Sequence, residues 1–478
     1  MESMITEKDV AWIIEQVINN VEATIHSKDQ KNDEENPLGV FEKVEDAIEA
    51  ADIAQKEYSA KYSIEDRKRI ITSIRNMVLN HVEEIAQKVY EETQIGRQKD
   101  KEAKLWLAAT LTPGTEDLTT SAISGSYGLT IEEMAPFGVI GAVTPVTNPV
   151  ETIINNTISM LAGGNSVVFN VHPSSKKCSA YVVGLLNKTI LEAGGPNHLI
   201  TMIKEPTMES LNEIAESPKI NILVGTGGSG LVKMLLRSGK KTIGAGAGNP
   251  PVIVDETANL ENAAKGIIEG ASFDNNILCI GEKEVFVLNK VADDLIYHML
   301  QKGAYMLSNK ELDKVIEVTL TSEEKQSADY HVNKKWIGRN AEEILRAIGV
   351  SKTGVKLLIC EVDFHHPYVQ LEQMMPILPI VRCATFEEAV ENAVKAEHGN
   401  KHTASIYSTN VDNMTKFAKE INTTIFVKNA PTLAGVGFKG EGSTTFTIAG
   451  PTGEGITSAK TFTRVRRCTL AEGGFRII

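Results

Sequence analysis

The sequence has few cysteines and no arrangement of them that would suit a metal site or a disulfide framework. The five cysteines of this 478-residue chain are odd in number and scattered, and no two form a Cys-x-x-Cys pair. The ten histidines include no His-Glu-x-x-His spacing. We therefore predict no metal centre and a reducing, cytoplasmic environment.

Long apolar runs and an excess of positive charge are also missing. No stretch approaches the roughly 18 apolar residues that a membrane span needs. The net charge is −13, so no basic face is available to neutralise phosphates, and we expect neither a membrane nor a nucleic acid as partner. A content of 42% hydrophobic residues over this length predicts a globular protein of two or three domains.

The first 25 residues form a unit of their own. Apolar residues recur there at helical spacing and predict one amphipathic helix, formed by Val10, Ile13, Ile14, Val17, Ile18, Val21 and Ile25. Residues 26–37 are polar, end at Pro37 and are typical of a linker. The apolar stripe must dock on the protein's own core, on a sister subunit or on another partner. The long linker favours docking away from its own core.

Strand-like and helix-like segments alternate along the rest of the chain. After a helical region from about residue 40 to residue 111, strands are predicted at residues 138–143, 166–169, 199–203 and 220–224, with helices between them. A second series begins near Val252 and runs to about Gly435. This alternation predicts an α/β protein with doubly wound parallel sheets. The basic tail, residues 459–470, is strand-like and should pair with another element or another subunit.

One cysteine stands out because of its neighbours. Residues 273–287 place Cys279 between an Asn-Asn turn and a glycine, directly before a strand-like run. A thiol at such a loop edge is accessible, and a thiolate is suited to attack an aldehyde and later to release a thioester. The alternative is a small buried apolar residue.

A glycine loop predicts a second ligand. Residues 225–230 (GTGGSG) follow a predicted strand and open a helix, and match the Gly-x-Gly-x-x-Gly pattern that binds a dinucleotide pyrophosphate. The acidic residue expected about 20 positions later is missing, because residues 244–248 are GAGAG. The ribose must therefore be held by other groups.

The order of these motifs resembles that of the aldehyde dehydrogenase superfamily. Residues 144–149 (TPVTNP) resemble its Pro-Trp-Asn-x-Pro segment, and residues 172–175 (HPSS) stand where it has Lys-Pro-Ala-Glu. The glycine loop, Cys279, residues 371–376 (LEQMMP) and residues 429–431 (NAP) follow in the same order. The resemblance covers about residue 38 to the C-terminus. It implies two Rossmann-like α/β domains with a small β oligomerisation unit.

The resemblance also implies domain limits and roles for residues. Residues 38–251 would bind NAD and CoA, with oligomerisation strands at about 115–132; residues 252–440 would be catalytic, and residues 441–478 would return to add an oligomerisation strand. Cys279 would be the nucleophile, and Asn148 with the backbone amide of Cys279 would form the oxyanion hole. Glu372 would hold the nicotinamide ribose. The remaining implied cofactor contacts are Thr144, Pro145, Val146, His172, Ser175, Gly225, Thr226, Gly227, Gly228, Ala245 and Gly246.

Departures from the family pattern indicate the branch. Hydrolytic members carry a glutamate that activates water, and Gly244 stands at that position here. Coenzyme A is then the better acyl acceptor, and residues 445–448 and 451–455 also resemble the CoA-acylating branch. The replacements His172 and Ser175 suit a pocket used in turn by NAD and CoA, with NAD favoured over NADP. His398, preferred over His402, is the candidate base for the CoA thiol, and a structural loop histidine is the alternative.

The resemblance thus implies an NAD-dependent CoA-acylating aldehyde dehydrogenase acting on acetaldehyde or propionaldehyde, in a dimer or tetramer. Relatives of this kind carry an N-terminal helix that docks on the shell of a bacterial microcompartment, which predicts that location for this chain. The alternatives are transfer of the acyl group to water or phosphate, and a scaffold that assembles a shell through its helix.

Overall fold

The computed structural model describes residues 37–322 and 330–472. The predicted helix at residues 1–25 and the predicted linker up to residue 36 lie outside these residues. Among the helices described, none is both long and apolar enough to cross a bilayer. The same part of the chain contains no cluster of histidine, cysteine and acidic side chains that could hold a metal ion.

A fully parallel six-stranded sheet forms the centre of the first domain. Its strands, in spatial order, are Val40–Phe41, Ile200–Ile203, Ser166–Asn170, Val139–Val143, Ile220–Thr226 and Lys241–Ala245. Alternate side chains enter two cores: Ile140 and Ala142 pack in one, and Val139 and Val143 in the other. The helices of this domain are Val44–Lys61, Ile64–Asn80, Val82–Thr93, Gln98–Leu111, Pro149–Ala162, Lys176–Glu192, Met208–Glu216 and Ser229–Leu236.

A second parallel sheet of seven strands forms the centre of the second domain. Its strands, in spatial order, are Ala304–Met306, Leu357–Glu361, Ile377–Cys383, Glu284–Leu288, Pro251–Val254, Thr403–Tyr407 and Ile425–Lys428. Val285 and Val287 pack on one face, Phe286 and Leu288 on the other. Its helices are Leu260–Ser272, Asn289–Gln301, Asn309–Thr319, Ala341–Ala347, Pro367–Gln370, Phe386–Ala396 and Val411–Ile421. The predicted doubly wound α/β architecture is confirmed.

Three smaller sheets complete the described chain. Two have two strands each, pairing Leu320–Ser322 with Tyr330–Val332 and Ile448–Ala449 with Gly455–Ile456. The third is antiparallel, with strand order Ser121–Gly125, Gly128–Pro136 and Thr463–Ala471. The predicted terminal strand therefore pairs within its own chain. It also begins later than expected, because Ala459–Phe462 forms a short 3₁₀ helix whose apolar residues join the core of the first domain.

The first sheet brings three loops to one edge. Its strands Val139–Val143, Ile220–Thr226 and Lys241–Ala245 are adjacent and parallel, so the loops that follow them meet at their carboxyl ends. In open α/β sheets this edge is where ligands bind. The residues that follow these strands are those for which the sequence predicts cofactor and oxyanion contacts.

Candidate active site

The loop that carries the predicted nucleophile begins with three residues in the left-handed region. Asp274, Asn275 and Asn276 have φ angles of 47°, 54° and 63°. Asn and Asp tolerate this conformation better than most residues because their short polar side chains hydrogen-bond locally. Here the backbone N–H of Arg97 donates to Asp274 Oδ1 at 2.6 Å, and Asn275 Nδ2 donates to the carbonyl of Gly338 at 2.8 Å. The Asp-Asn-Asn sequence thus turns the chain sharply after the helix Leu260–Ser272.

This turn delivers Cys279 to a cavity between the loops of the two domains, with about 210 Å³ of space accessible to water. The cavity brings together eight residues predicted from the sequence: Pro145, Asn148, Thr226, Gly227, Gly228, Gly246, Cys279 and Glu372. Much of the remaining lining is apolar, from Leu107, Phe273, Ile277, Met374, Leu433, Val436 and Phe446. The Cys279 thiol therefore borders a largely apolar space.

The surroundings of Cys279 keep its thiol protonated. Burial, together with the nearby Glu372 carboxylate, raises the pKa of the thiol to about 12. The Lys283 ammonium and the backbone N–H groups of Cys279 and Ile280 act in the opposite direction. A thiolate at this position requires a change in these surroundings, such as the displacement or neutralisation of the Glu372 carboxylate.

Asn148 lies at the start of the helix Pro149–Ala162, where the following proline suits the first helical position. Its side chain is largely buried. The amide oxygen accepts a hydrogen bond from Lys104 Nζ at 2.9 Å, whereas the amide nitrogen makes one long hydrogen bond, 3.4 Å, to Thr147 Oγ1. Because an amide nitrogen has two hydrogens, Asn148 can donate to an oxygen that develops negative charge in the cavity.

The glycine loop offers backbone to a ligand. Gly228 lies at the N-terminus of the helix Ser229–Leu236, and a Cβ atom placed there would meet no atom within 4 Å. Backbone N–H groups at a helix start attract phosphate, so Thr226, Gly227 and Gly228 fit a dinucleotide pyrophosphate. Gly225 has a different role: it is buried, and a Cβ there would collide with Leu235.

Glu372 also lines the cavity. Its carboxylate accepts a hydrogen bond from the backbone N–H of Gly248. Burial raises the pKa of Glu372, and the Lys283 ammonium acts against this. Glu372 is therefore placed both to hold polar groups of a cofactor and to influence the charge of Cys279.

Gly244 is packed rather than open. A Cβ atom there would lie 2.6 Å from Val232 Cγ1, and the backbone N–H of Gly244 donates to the Thr452 hydroxyl oxygen at 3.0 Å. The position that would carry a water-activating glutamate therefore has no room for a side chain without movement of Val232.

The two candidate histidines differ in their surroundings. His402 is buried, which lowers its pKa to about 4, and its Nδ1 hydrogen-bonds to Thr403 Oγ1 at 2.9 Å. His398 is exposed and lies outside the lining of the cavity. Its Nε2 contacts the carbonyl of Gln370 at 3.0 Å; because a carbonyl only accepts, Nε2 carries the hydrogen and Nδ1 is left as the basic nitrogen.

Six other predicted cofactor residues lie outside the cavity lining: Thr144, Val146, His172, Ser175, Gly225 and Ala245. The side chain of His172 is exposed, and its Nδ1 accepts a hydrogen bond from the backbone N–H of Ser174 at 3.2 Å. Ser175 is buried, and its hydroxyl donates to the carbonyl of His172 at 3.1 Å. Their contacts with a cofactor stay predictions.

Two lysines at the site were not predicted from the sequence. Lys104 lines the cavity, and Lys283 donates from Nζ to the carbonyls of Asn276 and Leu278 at 2.9 Å, just before the nucleophile. Both side chains are fully buried. A signal existed in each case: Lys104 shares a helical face with Leu107 and Ala108, three and four positions later, and Lys283 directly precedes a strand whose residues are all buried.

Several known proteins resemble this chain over most of its length. Residues 16–466 match the model of the aldehyde dehydrogenase family. The chain is 43% identical to acetaldehyde dehydrogenase (acetylating) of Escherichia coli strain K12 over 467 residues, 97% of this chain and 99% of that protein. A propionaldehyde dehydrogenase from the fucose utilisation microcompartment of Clostridium phytofermentans has 47% identity and a TM-score of 0.89, covering 92% of this chain and 100% of that one. A propionaldehyde dehydrogenase of Rhodopseudomonas palustris, solved with bound CoA and an acylated cysteine, has 47% identity and a TM-score of 0.88, covering 91% and 98%.

Proposed function

Because the chain belongs to the aldehyde dehydrogenase family, we propose that it oxidises a short aldehyde on Cys279 and transfers the acyl group to coenzyme A, with NAD as oxidant. The observation that carries this proposal is one cavity that contains a cysteine and a buried amide donor, Asn148, beside an open glycine loop. The position that would activate water, Gly244, lacks both a side chain and the space for one.

In the first half-reaction, the Cys279 thiol gives its proton to solvent, and the resulting thiolate attacks the carbonyl carbon and forms a C–S bond. The carbonyl electron pair moves to oxygen, and Asn148 Nδ2 with the backbone N–H of Cys279 donates to the resulting oxyanion. Collapse of this thiohemiacetal expels hydride from the same carbon and leaves a thioester on Cys279. Bound NAD would supply the acceptor of that hydride; Gly227 and Gly228 would hold its pyrophosphate and Glu372 its ribose.

In the second half-reaction, the CoA thiol loses its proton and attacks the thioester carbon. The Cys279 thiolate leaves, and the acyl group departs on CoA. We place His398 as the base for this step, because its Nδ1 is the basic nitrogen and its partner Gln370 lies two residues from Glu372 in the cavity wall. Without a base at Gly244, water is the poorer acceptor.

The cavity suits short aldehydes. Its accessible space of about 210 Å³ must also admit the reacting end of a cofactor, and its largely apolar lining favours uncharged substrates. Acetaldehyde and propionaldehyde both fit this description. One methylene changes binding by only about 1–3 kcal/mol, so both should be turned over with different efficiency.

Copies of the chain associate through the three-stranded sheet. Its outer strands, Ser121–Gly125 and Thr463–Ala471, leave sheet edges that a second copy can extend. Apolar side chains are exposed on the same unit, among them Ile123, Tyr127 and Val465. The molar mass in solution, measured by light scattering, should be that of a dimer or tetramer, and replacement of Val465 by Asp should lower it.

The N-terminal segment is proposed to direct the enzyme to a microcompartment. The support is its apolar stripe and polar linker in the sequence, together with the relative from a fucose utilisation microcompartment. Deletion of residues 1–36 should leave turnover intact and abolish co-purification with shells, whereas continued encapsulation would contradict this role.

The decisive experiment is NADH formation from acetaldehyde and propionaldehyde, with and without CoA. We expect turnover that depends strictly on CoA and yields the acyl-CoA thioester. Replacement of Cys279 by Ala should abolish it, which would also exclude a role as scaffold alone. Turnover without CoA, with release of free acid, would assign the chain to the hydrolytic branch.

A further inference from the structure

A buried ammonium group joins the two halves of the catalytic machinery. Lys104 is completely buried in the helix Gln98–Leu111. Its Nζ lies 2.7 Å from Asp274 Oδ2 and 3.0 Å from Glu151 Oε1, and it donates to Asn148 Oδ1 at 2.9 Å. One cation therefore contacts both the turn that leads to the nucleophile and the amide that faces the cavity.

The contact with Asn148 determines which end of the amide faces the substrate. A lysine ammonium can only donate hydrogen bonds, so it requires the amide oxygen of Asn148 as its partner. The amide nitrogen is then left towards the cavity, with its single long bond to Thr147. A flipped amide would place N–H groups against the ammonium and an oxygen against the developing oxyanion, and both contacts are repulsive.

Two neighbouring carboxylates keep the Lys104 side chain positively charged. Burial alone would lower the pKa of Lys104, but Asp274 and Glu151 overcome it and raise the pKa above the ordinary value, so the group is charged. Without Lys104, the Asn148 amide loses the cationic partner that requires its oxygen. The orientation that presents the amide N–H groups to the cavity is then no longer favoured.

We propose that Lys104 is a positioning residue that sets the Asn148 amide as the oxyanion donor and ties it, through Asp274, to the Cys279 loop. This inference rests on the proposed function. It assigns Lys104 no contact with the reacting atoms: its whole effect on turnover passes through Asn148.

A double-mutant cycle tests the inference. Lys104→Met and Asn148→Ala should each lower kcat about 10²–10³-fold, the loss expected for one oxyanion donor. The double variant should be no slower than Asn148→Ala alone, because there is no longer an amide to position. Lys101→Met is the matched control: Lys101 is also buried and lies 3.2 Å from Asp274 Oδ2, but contacts no atom of Asn148 among the hydrogen bonds and ion pairs described. Its effect should multiply with that of Asn148→Ala.

A second readout separates positioning from general damage to the site. Alkylation of Cys279 by iodoacetamide forms no oxyanion, so its rate in Lys104→Met should stay within about threefold of the unmodified protein while turnover falls. If Lys104→Met is poorly folded, the double variant Lys104→Met/Glu151→Gln is compared with Glu151→Gln instead. In that pair the loss of the lysine leaves no unpaired carboxylate at position 151, and Lys101 remains to pair with Asp274. Effects of Lys104→Met and Asn148→Ala that multiply, or equal losses in alkylation and turnover, would overturn the inference. Absence of CoA-dependent turnover in the unmodified protein would instead overturn the proposed function.

Discussion

The thiol of Cys279 should be much less reactive in the resting protein than an ordinary cysteine. Burial and the Glu372 carboxylate raise its pKa to about 12. At pH 8 the thiolate fraction is then about 10⁻⁴, against about one quarter for an unperturbed thiol. A more basic thiolate is also more nucleophilic, which offsets roughly 25- to 60-fold of this difference in thiolate fraction. We therefore expect alkylation of Cys279 by iodoacetamide to be about 40- to 100-fold slower than that of a free cysteine.

The assay is the rate of carbamidomethylation of the Cys279 peptide, followed by mass spectrometry between pH 6 and pH 10. Peptide resolution is needed because Cys468 is exposed in the single chain and is also open to alkylation, and free cysteine in the same solution is the reference. The Cys279 rate should rise about tenfold per pH unit over the whole range, without a plateau. Glu372→Gln removes a negative charge that raises the thiol pKa, so it should accelerate the reaction at every pH. A plateau near pH 8, or no acceleration in Glu372→Gln, would refute this account of the thiol.

Three further predictions concern Gly244, His398 and Lys283. Gly244→Glu should lower Tm by about 2–10 °C in calorimetry, because the new Cβ would meet Val232 and overpacking costs about 1–3 kcal/mol. The variant should also produce no free acid from the aldehyde. Production of acid at an unchanged Tm would contradict this prediction. Val232→Ala in the same chain should restore part of the stability. His398→Ala should leave the single-turnover burst of NADH intact and slow acyl transfer to CoA; loss of the burst in rapid mixing would assign the residue to another step. Lys283→Met should slow alkylation of Cys279, because the lost ammonium holds the pKa of that thiol down; a faster rate would show that Lys283 acts otherwise.

Much of the architecture could be predicted from sequence because it depends on local periodicity and motif order. The alternation of strand-like and helix-like segments predicted two parallel sheets, and both are observed. The helix predicted between the strands at residues 138–143 and 166–169 is observed at Pro149–Ala162. The predicted family is confirmed by comparison with known proteins. Cys279, Asn148 and Glu372, far apart in the chain, line one cavity as the order of motifs implied.

Two features could not be predicted from local sequence patterns: the partner of the terminal strand and the surroundings of the two histidines. The terminal strand could not be assigned a partner from sequence, because pairing depends on which edge is free in the folded chain. It pairs with Gly128–Pro136, more than 300 residues earlier. His398 and His402 look alike in sequence, yet one is exposed and the other is buried with a pKa of about 4. The difference arises from the elements packed around each ring.

The sequence by itself determined the fold class and the family and predicted the nucleophile, since each follows from residue types at fixed spacing along the chain. Only the tertiary structure decided how the site is held. It buries Lys104 between Asn148, 44 residues away, and Asp274, on another domain. It also fills the space beside Gly244. The physical reason is that burial and ion pairing depend on surfaces from distant segments meeting at a few ångströms, and the linear pattern of one segment carries no record of the other.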